Sequence, residues 1–201
     1  MRSICIAGMG PTKNFAKQQD TDVEIWGFNI SHIFLPRWDR WFQLHPRNWR
    51  EQAEPTGEPG DEKWGLNEKR EANCFGRTKE HVEFLRACDV PVYMRRRFHD
   101  IPTSQPYPFW NVVGALGRPY FRGTASYMLA LALYEHVDRI VIAGIDLAED
   151  QHQYCFEHGS VGYWLGRAEQ RGVELVMPPG DVTLTGPLYG RMEETLDDRT
   201  F

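Results

Sequence analysis

Three short stretches combine residue types that can hold or move charge. The first is Gly8-Met9-Gly10-Pro11-Thr12, directly after the apolar run Ile4-Cys5-Ile6-Ala7. Two glycines let main-chain N–H groups approach a ligand unobstructed, and a helix start just beyond would favour negative charge. The loop lacks both the third glycine of the dinucleotide fingerprint and the lysine of a P-loop, so neither NAD binding nor simple NTP hydrolysis is indicated. A tight strand-to-helix turn is the competing explanation. The second stretch is Arg122-Gly123-Thr124-Ala125-Ser126, before the apolar run Tyr127 to Leu133. Hydroxyl residues at a helix start offer side-chain and main-chain donors to an anion, although Thr124 could serve only as an N-cap. The third is Gly144-Ile145-Asp146, followed by Glu149, Asp150, His152, Tyr154 and His158. An acid at the carboxyl end of a strand points into the usual ligand crevice, and histidine carries protons near neutral pH. Asp146 could equally cap the following turn.

Other polar clusters are weaker. His152, Cys155 and His158 could approach one another, but no second ligand group completes a zinc site, and no metal is expected. The cysteines at 5, 74, 88 and 155 are scattered and read as reduced packing thiols. The aromatic stretch Trp38-Asp39-Arg40-Trp41-Phe42 reads as core or lid packing, and a basic run, Arg95-Arg96-Arg97, stands apart from all of these.

The elements that must position these groups alternate between short apolar strands and helices, the signal of a parallel sheet covered on both faces. Strands are expected at Ser3–Ala7, 23–27, 41–45, 90–94, 139–144 and 173–177, and helices at 79–87, 124–137 and 161–171. In the last helix Val161, Trp164, Leu165 and Ala168 share one face, and Gly172 stops it. The proline- and aromatic-rich connection 101–120 has too many prolines for a regular helix. Residues 46–78 lose all periodicity and read as an insertion or lid. The expected architecture is one α/β, Rossmann-like domain over 1–190, mostly parallel with helices on both faces, and an acidic tail at 191–201.

The 201 residues carry a net charge of -5, with 25% charged and 41% hydrophobic residues, so the chain is ordinary globular material and poorly suited to gripping a nucleic-acid backbone. No apolar run reaches the roughly 20 residues of a membrane span, and the start is too short for a signal peptide. The expected location is the cytoplasm, and a homo-oligomer is compatible with the composition.

Taken in order, Ile-Ala-Gly-x-Gly-Pro-Thr, a strand ending in Asn29, Thr-Ala-Ser-Tyr-Met-x-Ala-x-Ala and Ile-x-Gly-Ile-Asp resemble the bacterial sialyltransferases of the Campylobacter type. The sequence is similar also to the wider Rossmann-like group containing motility-associated transferases, hydroxymethylpterin diphosphokinases and short phage-encoded proteins. The similarity runs over residues 3–46 and 118–178. It implies that Gly8, Gly10, Thr12, Asn29, Gly123 and Thr124 contact the cytidine monophosphate part of a donor. It also implies that Tyr154 steadies the leaving phosphate near Asp146, and that His158, or else His152, is the catalytic base. Met9 stands where that family has an asparagine, and Ala148 where it has a second tyrosine; one lost donor on a leaving phosphate removes roughly 2–4 kcal/mol of transition-state stabilisation.

The resemblance therefore implies a transferase moving a sugar or similar group from a nucleotide-activated donor to an acceptor hydroxyl. Its substrate is a nucleotide or nucleotide sugar. One alternative is diphosphate transfer from ATP to a small hydroxymethyl compound, the only reading that involves Mg²⁺, on Asp146, Glu149 and Asp150. The other is a binding protein that kept the fold without the chemistry.

Overall fold

Ser3–Ala7 (β1) and Arg139–Ala143 (β6) are five-residue runs that, apart from Arg139, consist of small and β-branched side chains, nearly all buried, as strands covered on both faces must be. A computed structural model describes residues 1–45, 79–145 and 152–179; for 79 and 152–156 it describes only the helix they belong to. The remaining strands are β2 (Glu24–Phe28), β3 (Arg40–Gln43), β4 (Val92–Met94), β5 (Ser104–Pro106) and β7 (Glu174–Val176). The helices are α1 (Lys79–Ala87), α2 (Phe109–Leu116), α3 (Thr124–Tyr134) and α4 (His152–Gln170), with 3-10 turns at Pro11–Gln18 and Ser31–Ile33.

Among the described residues the strands form one seven-stranded sheet in the order β5-β4-β3-β2-β1-β6-β7. The pairs β1–β6, β3–β4, β4–β5 and β6–β7 are parallel, with Ser3 opposite Arg139 and Ala7 opposite Ala143. The chain thus starts in the middle, winds outward to β5 and returns to the other side of β1, an α/β doubly wound topology whose switch point lies between β1 and β6. No helix among the described residues is long and apolar enough to cross a membrane.

Two compact units are distinguished, Met1–Trp26 with Phe109–Phe201, and Gly27–Pro108. In the first, α3 is buried almost all round, from Ala125 to Leu133, so it is a central helix rather than an amphipathic surface one. It stops at Tyr134, three residues short of expectation, because His136 takes a left-handed φ of 56° and the Val137 amide donates back to the Ala132 carbonyl.

The connection 101–120 is where the sequence misled. It contains both β5 and α2, because its prolines bracket the helical run Phe-Trp-Asn-Val-Val-Gly-Ala-Leu instead of interrupting it. Gly117, at φ 84°, closes that helix by donating to the Val113 carbonyl. The last helix is longer than its apolar repeat suggested. It begins at His152, so His152, Tyr154 and His158 are helical residues, and it ends at Gln170 before Gly172, as expected.

In the second unit the Trp41 indole packs against Gly27, where an added Cβ would come within 2.3 Å of the ring. Trp41 and Phe42 are fully buried, which makes the aromatic stretch core packing. His32 stacks on Phe84 with ring centroids 4.0 Å apart and lies 5.2 Å from His81. His81, 1% exposed, donates from Nε2 to Gln43 Oε1 at 2.8 Å, and the Gln43 amide donates to His45 Nδ1 at 3.3 Å. Burial pushes the His32 pKa below 6.5, opposed in smaller part by a main-chain hydrogen bond with Asn29.

A pH dependence follows from this. The unfolded chain takes up a proton on His32 near pH 6.5, before the folded chain does, so stability falls as pH drops below that value and levels off below the folded pKa. The melting temperature is expected to decline between pH 7 and pH 5, and His32→Leu to flatten the decline; an identical slope in the variant would refute the assignment.

Candidate functional site

At the carboxyl ends of β1 and β6 the two central loops are fastened to each other. The Gly8 amide donates to the Ala143 carbonyl at 2.7 Å and the Gly10 amide to the Gly144 carbonyl at 2.8 Å. The Gly144 amide in turn donates to the Thr12 hydroxyl at 2.9 Å. Gly8 and Gly144 touch main chain to main chain: a Cβ on Gly8 would sit 2.3 Å from the Gly144 carbonyl oxygen, and one on Gly144 would sit 2.6 Å from that of Gly8. Gly144 also has φ 66°, a left-handed conformation suited to glycine.

These glycines therefore permit a close approach, but of one loop to the other. Their amides, and the oxygen of Thr12, already serve the fold. What the fastening leaves toward a ligand is the Met9 amide, which makes no hydrogen bond among the described residues, and Lys13, whose stem packs over Gly144. Lys13 makes no ion pair among the described residues, and sequence reasoning passed over it because it lies one position beyond the Gly-Pro-Thr motif.

The start of α3 forms a second group. Gly123, not Thr124, is the N-cap, in extended conformation, and Thr124 is the first helical residue. Ser126, fully buried, reaches back: its hydroxyl donates to the Gly123 carbonyl at 2.6 Å and accepts from the Arg122 amide at 3.3 Å. The amides of Thr124 and Ala125 have no acceptor among the described residues, as the first turn of a helix requires.

A carboxylate lies against this end, because a Cβ on Gly123 would come within 2.8 Å of the Glu157 side chain. Negative charge at a helix N-terminus is favourable. Glu157 is thus the side chain α4 brings to the α3 start, whereas His158, one residue and about 100° further round the helix, is exposed. Nothing in the sequence distinguished Glu157 from the other acids of its segment.

Asn29 belongs to the other unit. It sits at the carboxyl end of β2 with φ 53°, its amide donating to the Phe42 carbonyl, and its Oδ1 is buried without a hydrogen-bond partner among the described residues. Asparagine tolerates that left-handed conformation better than most residues, which gives it a conformational reason to be there. Asp146, Ala148, Glu149 and Asp150 lie outside the described residues, as do the proposed lid 46–78 and the acidic tail; for His152, Tyr154 and Cys155 only the helix is described.

Cys5 and Cys88 are buried and in no disulfide, and burial pushes the Cys88 pKa up, so that thiol stays protonated and unreactive. No group of three or more metal-ligating side chains occurs among the described residues.

No family model and no curated protein matches the chain in sequence. Its fold does match solved structures. The chain is similar to the sialyltransferase CstII from Campylobacter jejuni in complex with the substrate analogue cytidine-5'-monophosphate. There the TM-score is 0.52 at 11% identity, over 90% of this chain and 82% of that one. A second structure, CST-II in complex with a trisaccharide acceptor and CMP, gives a TM-score of 0.51 at 12% identity, over 90% and 83%. At this identity the likeness establishes a sialyltransferase-like fold.

Proposed function

We propose that the chain is a transferase that binds a nucleotide-activated donor, a nucleotide sugar, and passes the sugar to an acceptor hydroxyl. The observation that carries this reading is the fastened loop pair at the switch point between β1 and β6, the place where open parallel sheets receive nucleotides. The likeness to structures that hold CMP supports it and makes cytidine the first base to try.

In this reading the Met9 amide, the Lys13 ammonium and the free amides of Thr124 and Ala125 are the donors to the nucleotide. Gly8, Gly10, Thr12 and Gly123 shape their surroundings. The acceptor oxygen attacks the anomeric carbon, and the bond from that carbon to the phosphate oxygen breaks with its electron pair leaving on the nucleotide. His158, or else His152, takes the acceptor's proton, and Tyr154 hydrogen-bonds the departing phosphate.

Thermal unfolding in the presence of CMP, UMP, GMP and AMP tests this. A specific nucleotide at 100 times its dissociation constant adds about 2.7 kcal/mol, a rise of roughly 5–11 °C for a chain of this size. No response to any of the four would sink the proposal. Magnesium-dependent consumption of ATP would instead select diphosphate transfer.

A further inference from the structure

We propose that the arginine run Arg95-Arg96-Arg97 is a seat for the phosphate of a phosphorylated carbohydrate; that the ligand is a carbohydrate rests on the transferase reading above. All three side chains are exposed, and among the described residues none makes an ion pair. By contrast Arg2, Arg37, Arg86 and Arg139 each meet a carboxylate. The run follows β4 directly, at the carboxyl edge where open α/β sheets bind ligands.

The loop that carries the run is held, not loose. Phe98 is 8% exposed; its amide donates to the Ser104 hydroxyl at 2.9 Å, and that hydroxyl donates back to the Phe98 carbonyl at 2.9 Å. Ile101 is 1% exposed and anchors the other side of the turn. The Arg96 guanidinium lies 5.1 Å from the Phe98 ring centre, a cation–π contact that ties it to the buried anchor of the loop.

Three forked donors that meet no carboxylate among the described residues suit a phosphomonoester, which carries about -1.5 to -2 charges and three acceptor oxygens. The chain's net charge of -5 and the confinement of the run to one loop argue against a nucleic-acid track. A carbohydrate fits the position. In the same unit Asn29 ends β2, two strand spacings or roughly 10 Å along the edge, a gap that one or two sugar units bridge.

The test is calorimetric titration of the full chain with lactose, a lactose phosphomonoester, inorganic phosphate and a short single-stranded DNA, with and without CMP. It is repeated on the variant Arg95→Gln/Arg96→Gln/Arg97→Gln. The phosphorylated sugar is expected to bind at least about tenfold tighter than lactose, the value of a charge-assisted hydrogen bond. That preference should shrink with added salt and vanish in the variant, while the CMP response stays.

Equal binding of the two sugars, or a preference that survives in the variant, overturns the seat. Inorganic phosphate binding as tightly as the sugar phosphate overturns the carbohydrate assignment, and tighter binding of DNA replaces it with a nucleic-acid surface. If CMP fails to bind but the arginine-dependent preference is present, the transferase reading falls and the phosphate seat stands.

Discussion

Gly8→Ala is expected to destabilise the chain by about 3 kcal/mol and Gly144→Ala by about 3–5 kcal/mol, because each puts a methyl group into the opposing main chain. The approach distances, 2.3 and 2.6 Å to carbonyl oxygens, leave no flexible side chain to swing aside. Overpacking alone costs typically 1–3 kcal/mol. At Gly144 the left-handed backbone adds a further 1–2 kcal/mol or so for any residue with a Cβ. A natural domain has only about 5–15 kcal/mol to lose, so either variant sits near the threshold of folding. The control is internal. Gly162 and Gly166 lie within α4 and a Cβ there meets nothing within 4 Å, so alanine at either should be neutral or stabilise by up to about 1 kcal/mol. Urea midpoints for the four variants decide the matter. Similar midpoints for Gly8→Ala and Gly162→Ala would mean that the two central loops are not fastened as described.

The second large effect concerns Trp164. Its indole is 1% exposed, stacks on Phe121 at 5.3 Å and donates from Nε1 to the Tyr120 carbonyl at 2.8 Å. One turn on, Arg167 donates to the Leu116 carbonyl and covers the same indole at 5.1 Å. Helix α4 thereby holds the segment between α2 and α3, whose last residues present the start of α3. Trp164→Ala is expected to cost about 3–5 kcal/mol for the cavity, with the Tyr120 carbonyl losing its donor as well. Trp164→Phe keeps most of the ring and loses the hydrogen bond, about 1–2 kcal/mol. Denaturation of both, with CMP binding measured on the phenylalanine variant, checks the ordering; a loss under about 1 kcal/mol in Trp164→Ala would show that this contact does not hold the segment.

The alternation of strands and helices was legible because short apolar runs such as Ser-Ile-Cys-Ile-Ala, rich in β-branched residues and closed by glycine, suit strands buried on both faces, and β1 has the expected bounds. Helix α2 was not, because counting prolines over 101–120 ignored where they fall. In α1 the buried face includes His81, a polar residue whose partner, Gln43, is 38 positions away and invisible to any local pattern. At the candidate site the Gly-x-Gly spacing draws attention to Gly8, but spacing cannot say what approaches a glycine. The partner proved to be the other loop. Glu157 was missed for a related reason: which of two neighbouring helical residues faces inward depends on helix phase, and the apolar repeat that fixes the phase begins only at Val161.

The Gly8–Gly144 crossing also bears on how such a frame can change its ligand. Because each loop forms the other's wall, neither can lengthen, shift or accept a side chain at the crossing without displacing its counterpart. Variation is left to the flanks, at Met9 and Lys13 on one loop and beyond Ile145 on the other. A library aimed at a new substrate should randomise those positions and treat the crossing as a fixed hub around which specificity is rebuilt.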